Sequence, residues 1–213
     1  MKKVKAVLFD FDGTIFDTNK LILESWHEVF RVKGGKKSDD EILATFGEPL
    51  VISMEKWFPG QSEECIKIYR GYQKDIFFEK IEIYEGMGEL IKKLKALGFL
   101  NAIVTSRLVS STTETLEKYD LMRYFDAVVT CEDTDKHKPD PEPALLALAK
   151  LGVAADEAVM IGDSKFDIKC AHNAGIKGVL VGWSEAKGDI PETGDDAPDF
   201  IIEKAEDLLE ILA

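Results

Sequence analysis

Two hydrophobic rhythms divide the chain. Short apolar runs without polar alternation recur at residues 4–9, 100–105, 158–161 and 178–181, with a weaker one at 127–130. Such runs predict strands buried on both faces, the habit of a parallel sheet. Residues 200–202 predict an edge strand. Between the runs the pattern changes to a helical period. In residues 86–97, Leu90, Ile91, Leu94 and Leu97 fall on one face. Residues 110–119, 141–151, 166–174 and 203–212 read the same way. Strand and helix alternate from Glu85 onward, which predicts βαβ units. The expected class is α/β, with a doubly wound, mostly parallel Rossmann-like sheet.

Residues 19–81 break this alternation. They carry helical patterns at 21–32, 39–46, 50–58 and 62–77, and no buried-strand run. Ser38 or Asp39 is placed to N-cap the second of these. A helical insert after the first strand is expected to form a small domain over the C-terminal edge of the sheet. The expected division is a core of residues 1–16 and 83–213 and an insert of residues 17–82, with hinges near 16–18 and 81–84. Trp26, Phe30, Trp57, Phe58, Phe77 and Phe78 are expected in the core of the insert. Residues 185–198, rich in Gly, Pro and Asp, predict a surface loop. There is no internal repeat or low-complexity tract.

Composition narrows the function. The 213 residues are 45% hydrophobic and 31% charged, an ordinary globular balance. With 27 basic and 40 acidic side chains the net charge is −13. Such a surface repels phosphate backbones and anionic lipids, so neither nucleic acid nor membrane is an expected partner. A small anion is still admissible where a divalent cation and a few donors reverse the field inside one cleft. Cys65, Cys131 and Cys170 are odd in number and form no C-x-x-C pair. They read as reduced thiols of a cytoplasmic protein. His27, His137 and His172 stand at no zinc-motif spacing. The basic start of the chain is followed by an apolar run broken at Asp10, too early for a signal peptide. No stretch approaches the roughly 18 apolar residues of a membrane span.

Four segments carry candidate chemistry, each just after a predicted strand or opening a helix. Asp10-Phe11-Asp12-Gly13-Thr14 places two carboxylates two residues apart at the end of the first strand, the edge where open α/β sheets bind ligands. Gly13 permits a tight turn with backbone N–H groups near an anion. An Asp-Gly turn with Asp12 as a helix cap is the structural alternative. An EF-hand loop fails, because its Gly belongs at position six. Gly162-Asp163-Ser164-Lys165-Phe166-Asp167 follows another buried strand and opens a helix. Asp163 is either a Mg²⁺ ligand shared with Asp10 or a helix cap. Thr105-Ser106-Arg107 offers hydroxyls and fresh N–H groups at a strand end, and is otherwise a polar connecting loop. In Lys138-Pro139-Asp140-Pro141, Pro139 holds Lys138 extended and Asp140 caps a helix that opens with Pro141. Lys138 then either neutralises a phosphoryl group or belongs, with Lys136, to a solvated basic loop.

Taken together and in this order, the four segments resemble the motifs of the haloacid dehalogenase superfamily of phosphohydrolases, over essentially the whole chain. The helical insert resembles the superfamily's C1 cap domain. Gly47-Glu48-Pro49 resembles the G-x-P turn of caps in the phosphoglycolate phosphatase and pyrophosphatase subgroup. The resemblance implies that Asp10 is the nucleophile and Asp12 the general acid and base. It implies that Thr105 binds phosphoryl oxygens, and that Lys138 holds Asp10 and offsets charge. Mg²⁺ would be bound by Asp10, the backbone carbonyl of Asp12 and Asp163, with Asp167 behind them. Gly13, Thr14, Ser106, Arg107 and Gly47 would adjoin the substrate.

The implied activity is Mg²⁺-dependent hydrolysis of a small, phosphoglycolate-like phosphomonoester through an aspartyl-phosphate. Pyrophosphate or a nucleotide is the alternative substrate. The family's dehalogenases and phosphonatases lack the second carboxylate that Asp12 supplies here. Its sugar phosphomutases carry a His where this chain has Ile22, although His27 follows on the same predicted helix. A phosphate-sensing module on a retired scaffold is a further alternative, against which stand the intact Asp10, Asp12, Lys138 and Asp163. Gly34-Gly35-Lys36-Lys37-Ser38 lacks the spacing of a phosphate loop and reads as an interhelical turn. His137 and His172 are expected to face solvent.

Overall fold

The computed structural model describes residues 3–184, 190–191 and 193–212. Six strands form one all-parallel sheet: β1 (Ala6–Phe9), β4 (Leu100–Val104), β5 (Ala127–Val129), β6 (Ala158–Gly162), β7 (Lys177–Val181) and β8 (Phe200–Ile202). Their order is β5-β4-β1-β6-β7-β8, with β8 at an edge as expected. β1 lies between β4 and β6, so the order reverses at β1 and opens a crevice beyond its carboxyl end.

The inner strands β1, β4, β6 and β7 are covered on both faces, which is why their runs do not alternate, whereas Ile201 of the edge strand β8 is 56% exposed. Val7 and Phe9 point to one side, where they meet Leu90, Ile91 and Leu94 of α5 (Met87–Ala96), Leu116 of α6 (Val109–Lys118), and Leu208 and Leu212 of α9 (Leu208–Leu212). Ala6 and Leu8 point to the other, against Ala144 and Leu148 of α7 (Glu142–Leu151) and Cys170 and Ala171 of α8 (Lys165–Asn173). Successive strand side chains take opposite faces, so one short run feeds two cores. Each fully buried Leu, Ile or Phe contributes about 1.5–3 kcal/mol relative to exposure. Leu97, expected on the buried face of α5, is 60% exposed, because the helix ends at Ala96.

The insert holds α1 (Asn19–Lys33), α2 (Asp39–Leu43), α3 (Leu50–Trp57) and α4 (Ser62–Lys80). Ser38 N-caps α2, its hydroxyl accepting from Glu41 N at 3.2 Å. The insert has its own core, in which Trp26, Phe30, Met54, Phe58, Cys65 and Tyr69 are buried and Trp57 packs on them. Phe77 and Phe78, expected there, have side chains outside the described residues. The two segments expected as hinges pair with each other as a short antiparallel ribbon, β2 (Phe16–Asp17) with β3 (Glu82–Ile83). Two-residue strands are too short to show a period in sequence. Most of the loop expected at 185–198 lies outside the described residues. His172 is half-buried rather than solvent-facing, its ring bonded to Asp195 O and Asp199 Oδ2, each at 3.0 Å.

Candidate active site

Asp10 leaves β1 with its N–H bonded to Ile161 O at 2.9 Å, which sets it between the ends of β1 and β6. Gly13 then turns the chain at φ +74°. A Cβ at Gly13 would lie 1.8 Å from Asp163 Oδ2, so only glycine lets this loop close against that carboxylate. This is the physical demand behind the Asp-Gly-Thr turn. It places Gly13 against Asp163 and not on the cleft wall. Thr14 is fully buried, and its carbonyl accepts from Trp183 Nε1 at 3.3 Å. The turn carries both residues beneath the cleft, away from the substrate side expected of them.

Asp163 does not cap the helix after β6. Ser164 takes that position, and Ser164 N and Oγ donate to Asp167 Oδ2 at 3.1 and 2.5 Å. Asp163 is thereby released toward Asp10. Asp10, Asp163 and Asp167 each present a carboxylate oxygen within 4.8 Å of the other two, and all three are buried. Lys138, 2% exposed, lies among them with Nζ 2.6 Å from both Asp10 Oδ1 and Asp167 Oδ1. It is held there by the segment before α7, where Asp140 Oδ1 accepts from Glu142 N at 3.0 Å. The solvated-loop alternative for Lys138 is thus excluded.

The electrostatics of this cluster are unbalanced. Three buried carboxylates face one ammonium. Burial first, then the Asp167 charge, pushes the Asp10 carboxyl up to about 7 against the pull of Lys138. Burial and the charges of Asp167 and Asp10 push Asp163 well above the ordinary carboxylate range. Burial pulls Lys138 down, but the Asp10 and Asp167 charges more than offset it, and its net shift is upward. A divalent cation fits this donor set. It would cancel the surplus charge, and hard oxygen ligands suit it. Asp10 and Asp163 line the cleft, while Asp167 has its oxygens engaged by Lys138 and Ser164.

A cavity of 650 Å³ opens above the cluster, lined by Asp10, Asp12, Thr105, Ser106, Arg107, Lys138 and Asp163 from the core and by Gly47 from the insert. Arg107 Nη1 donates to Asp12 Oδ1 at 2.7 Å, and its guanidinium stacks over Phe11 with 5.1 Å to the ring centroid. Arg107 N donates to Thr105 Oγ1 at 3.2 Å. Ser106 Oγ is buried without a hydrogen-bond partner among the described residues, an available donor at the cleft. Gly47, at φ +82°, touches the core directly. A Cβ there would meet Ser164 Oγ at 2.6 Å. Ile22 lines the cavity, whereas His27 bonds Asp39 on the exposed side of α1.

Sequence reasoning missed Ser184, which donates to Asp163 Oδ2 at 2.7 Å. Its position just beyond β7 was the available signal, the same strand-end rule that finds Asp10, Thr105 and Asp163. It also missed Tyr69, Arg70, Gln73 and Lys74, which α4 contributes to the cavity. A solvated helix face looks the same in sequence.

A parallel sheet with carboxylates at adjoining strand ends, a buried lysine among them and a helical insert above defines a hydrolase of the haloacid dehalogenase type. The chain belongs to the haloacid dehalogenase-like hydrolase family, whose model matches residues 7–181. It is 36% identical to pyrophosphatase PpaX of Bacillus velezensis over 99% of this chain and 97% of that protein. It is 34% identical to pyrophosphatase PpaX of Halalkalibacterium halodurans with the same coverage. The haloacid dehalogenase-like family protein SP0104 from Streptococcus pneumoniae shares the fold, with a TM-score of 0.86 over 100% of both chains at 23% identity.

Proposed function

We propose that this hydrolase is a Mg²⁺-dependent phosphatase that transfers a phosphoryl group from a small phosphomonoester to Asp10 and then to water. The observation that supports this most directly is the buried Lys138 held 2.6 Å from Asp10 Oδ1, beside Asp163. A carboxylate attacks a phosphate dianion only where cations and donors offset the repulsion.

Lys138 fixes Asp10 by one oxygen, and the other is the attacking atom. Thr105 and Ser106 offer hydroxyls to the phosphoryl oxygens from the end of β4. Asp12 donates a proton to the leaving oxygen and then takes one from water, and Arg107 orients its carboxylate. Asp10, Asp163 and the Asp12 carbonyl would hold Mg²⁺, which supplies charge neutralisation at the phosphoryl oxygens. Asp167 anchors Lys138 from behind. Residues 17–82 act as the cap domain over the core of 1–16 and 83–213, excluding water and selecting the leaving group. The three free thiols and the lack of any helix long and apolar enough to cross a membrane among the described residues support a cytoplasmic location.

Pyrophosphate is the second reading, favoured by the names of the Bacillus and Halalkalibacterium relatives. The test is phosphate release with Mg²⁺ from an aryl phosphate and from pyrophosphate, with Asp10→Asn as the blank. The expected result is metal-dependent turnover that the substitution abolishes. Undiminished turnover in Asp10→Asn would remove Asp10 from its role, and the better substrate decides between the two readings.

A further inference from the structure

We infer that Arg70 and Lys74 of α4 form an anion subsite, so that the preferred substrate is a phosphomonoester carrying a second anionic group on an apolar spacer. The inference rests on the phosphatase reading above and names the substrate class of that same site.

Three observations carry it. First, Arg70 and Lys74 are one helical turn apart, and with Tyr69 and Gln73 they form a continuous stripe on the cavity wall. Second, neither cation has an ion-pair partner among the described residues. Lys33 and Lys80, elsewhere on the insert, are paired with Glu64 and Glu24. Third, the placement is set by the fold. Tyr69 is buried in the core of the insert, and the next residue, Arg70, lines the same cavity as Asp12 and Arg107 with its side chain open to solvent.

The same cavity wall also includes the apolar side chains of Ile22, Trp26, Leu50 and Leu108. A volume of 650 Å³ is that of a site for an organic molecule and exceeds the needs of pyrophosphate alone. One phosphoryl group at Asp10 satisfies the floor. The apolar wall takes a spacer, and the two cations take what lies at its far end. Glu48 and Glu114 also line the cavity, but Glu48 is engaged by the Ser53 hydroxyl and Glu114 projects from α6 on the core side. Arg70 and Lys74 could instead latch the insert to Glu114, and the experiment separates the two roles.

The probe is a matched series of four-carbon alkyl phosphates ending in a methyl, a carboxylate or a second phosphate, with pyrophosphate as a further arm. The expected result is a higher kcat/KM for both anion-ended members than for the methyl-ended one. In Arg70→Gln/Lys74→Gln the ratio of anion-ended to methyl-ended kcat/KM should fall by roughly ten- to hundredfold, mainly through KM. Lys36→Gln/Lys56→Gln, which removes an equal charge from exposed positions of the insert outside the cavity lining, should leave that ratio unchanged. An equal loss for all members would assign the pair to a latch and overturn the subsite. Equal kcat/KM across the wild-type series, or pyrophosphate as the best substrate, would also overturn it. No turnover of any member, pyrophosphate included, would sink the phosphatase reading itself.

Discussion

Arg107 holds Asp12: its Nη1 lies 2.7 Å from Asp12 Oδ1, and the guanidinium rests on the Phe11 ring. The residue from the end of β4 thus orients the second carboxylate of the loop after β1, joining two segments 95 positions apart. Arg107→Ala should lower kcat by about ten- to hundredfold, the scale of a charge-assisted hydrogen bond. Steady-state kinetics check this. A rise in KM with kcat intact would make Arg107 a substrate ligand and not the positioning partner of Asp12.

Lys138→Ala removes the only cation within hydrogen-bonding distance of Asp10 and Asp167 among the described residues. Breaking a buried pair from one side costs about 3–5 kcal/mol, because the remaining charges are left uncompensated. Urea unfolding should show a loss of that size, and phosphate release should vanish. A stability loss below about 1 kcal/mol would mean that the buried carboxylates are neutralised some other way.

The raised carboxyl values of Asp10 and Asp163 make a pH prediction for the protein with metal chelated. An unfolded Asp titrates near 3.9, while folded Asp10 titrates near 7. Between these values the folded state binds more protons than the unfolded one, so stability falls as pH rises through this window. Asp163 acts in the same direction. Lys138, shifted up, keeps its charge throughout and loses its contribution only in alkali. Unfolding measured with a chelator from pH 4 to 8 should show this decline. Mg²⁺ should flatten it, and Asp10→Asn should reduce it. A decline of the same slope in Asp10→Asn would locate its source elsewhere.

Gly47 is where the insert touches the core. Its φ is +82°, and a Cβ added there would lie 2.6 Å from Ser164 Oγ, so the position has neither the backbone freedom nor the space for a side chain. Gly47→Ala should cost about 1–2 kcal/mol in left-handed strain alone. It should also lower kcat/KM, because the turn must withdraw from Ser164. Activity and unfolding both at wild-type level would show that this contact is dispensable.

Much of this protein is legible in its sequence because the relevant forces act locally. Unbroken apolar runs determined the parallel strands, since a strand covered on both faces has no polar side to display. Ser164 and Pro139 are each dictated by the backbone within a few residues, whereas Gly13 answers both its own turn and the approach of Asp163. Asp10, Asp12, Thr105 and Asp163 were therefore found as strand-end chemistry and Lys138 as a residue fixed ahead of a helix, and their order carried the family. Tertiary structure decided the rest. The Arg107–Asp12 pair, the grip of Lys138 on both Asp10 and Asp167, and Ser184 on Asp163 join residues 95, 128, 29 and 21 positions apart. The cavity-facing side of α4 is equally unreadable, because an amphipathic pattern says which face is buried but not what the polar face looks upon. Local periodicity records burial; only the packing of the insert on the core records which charges share a cleft.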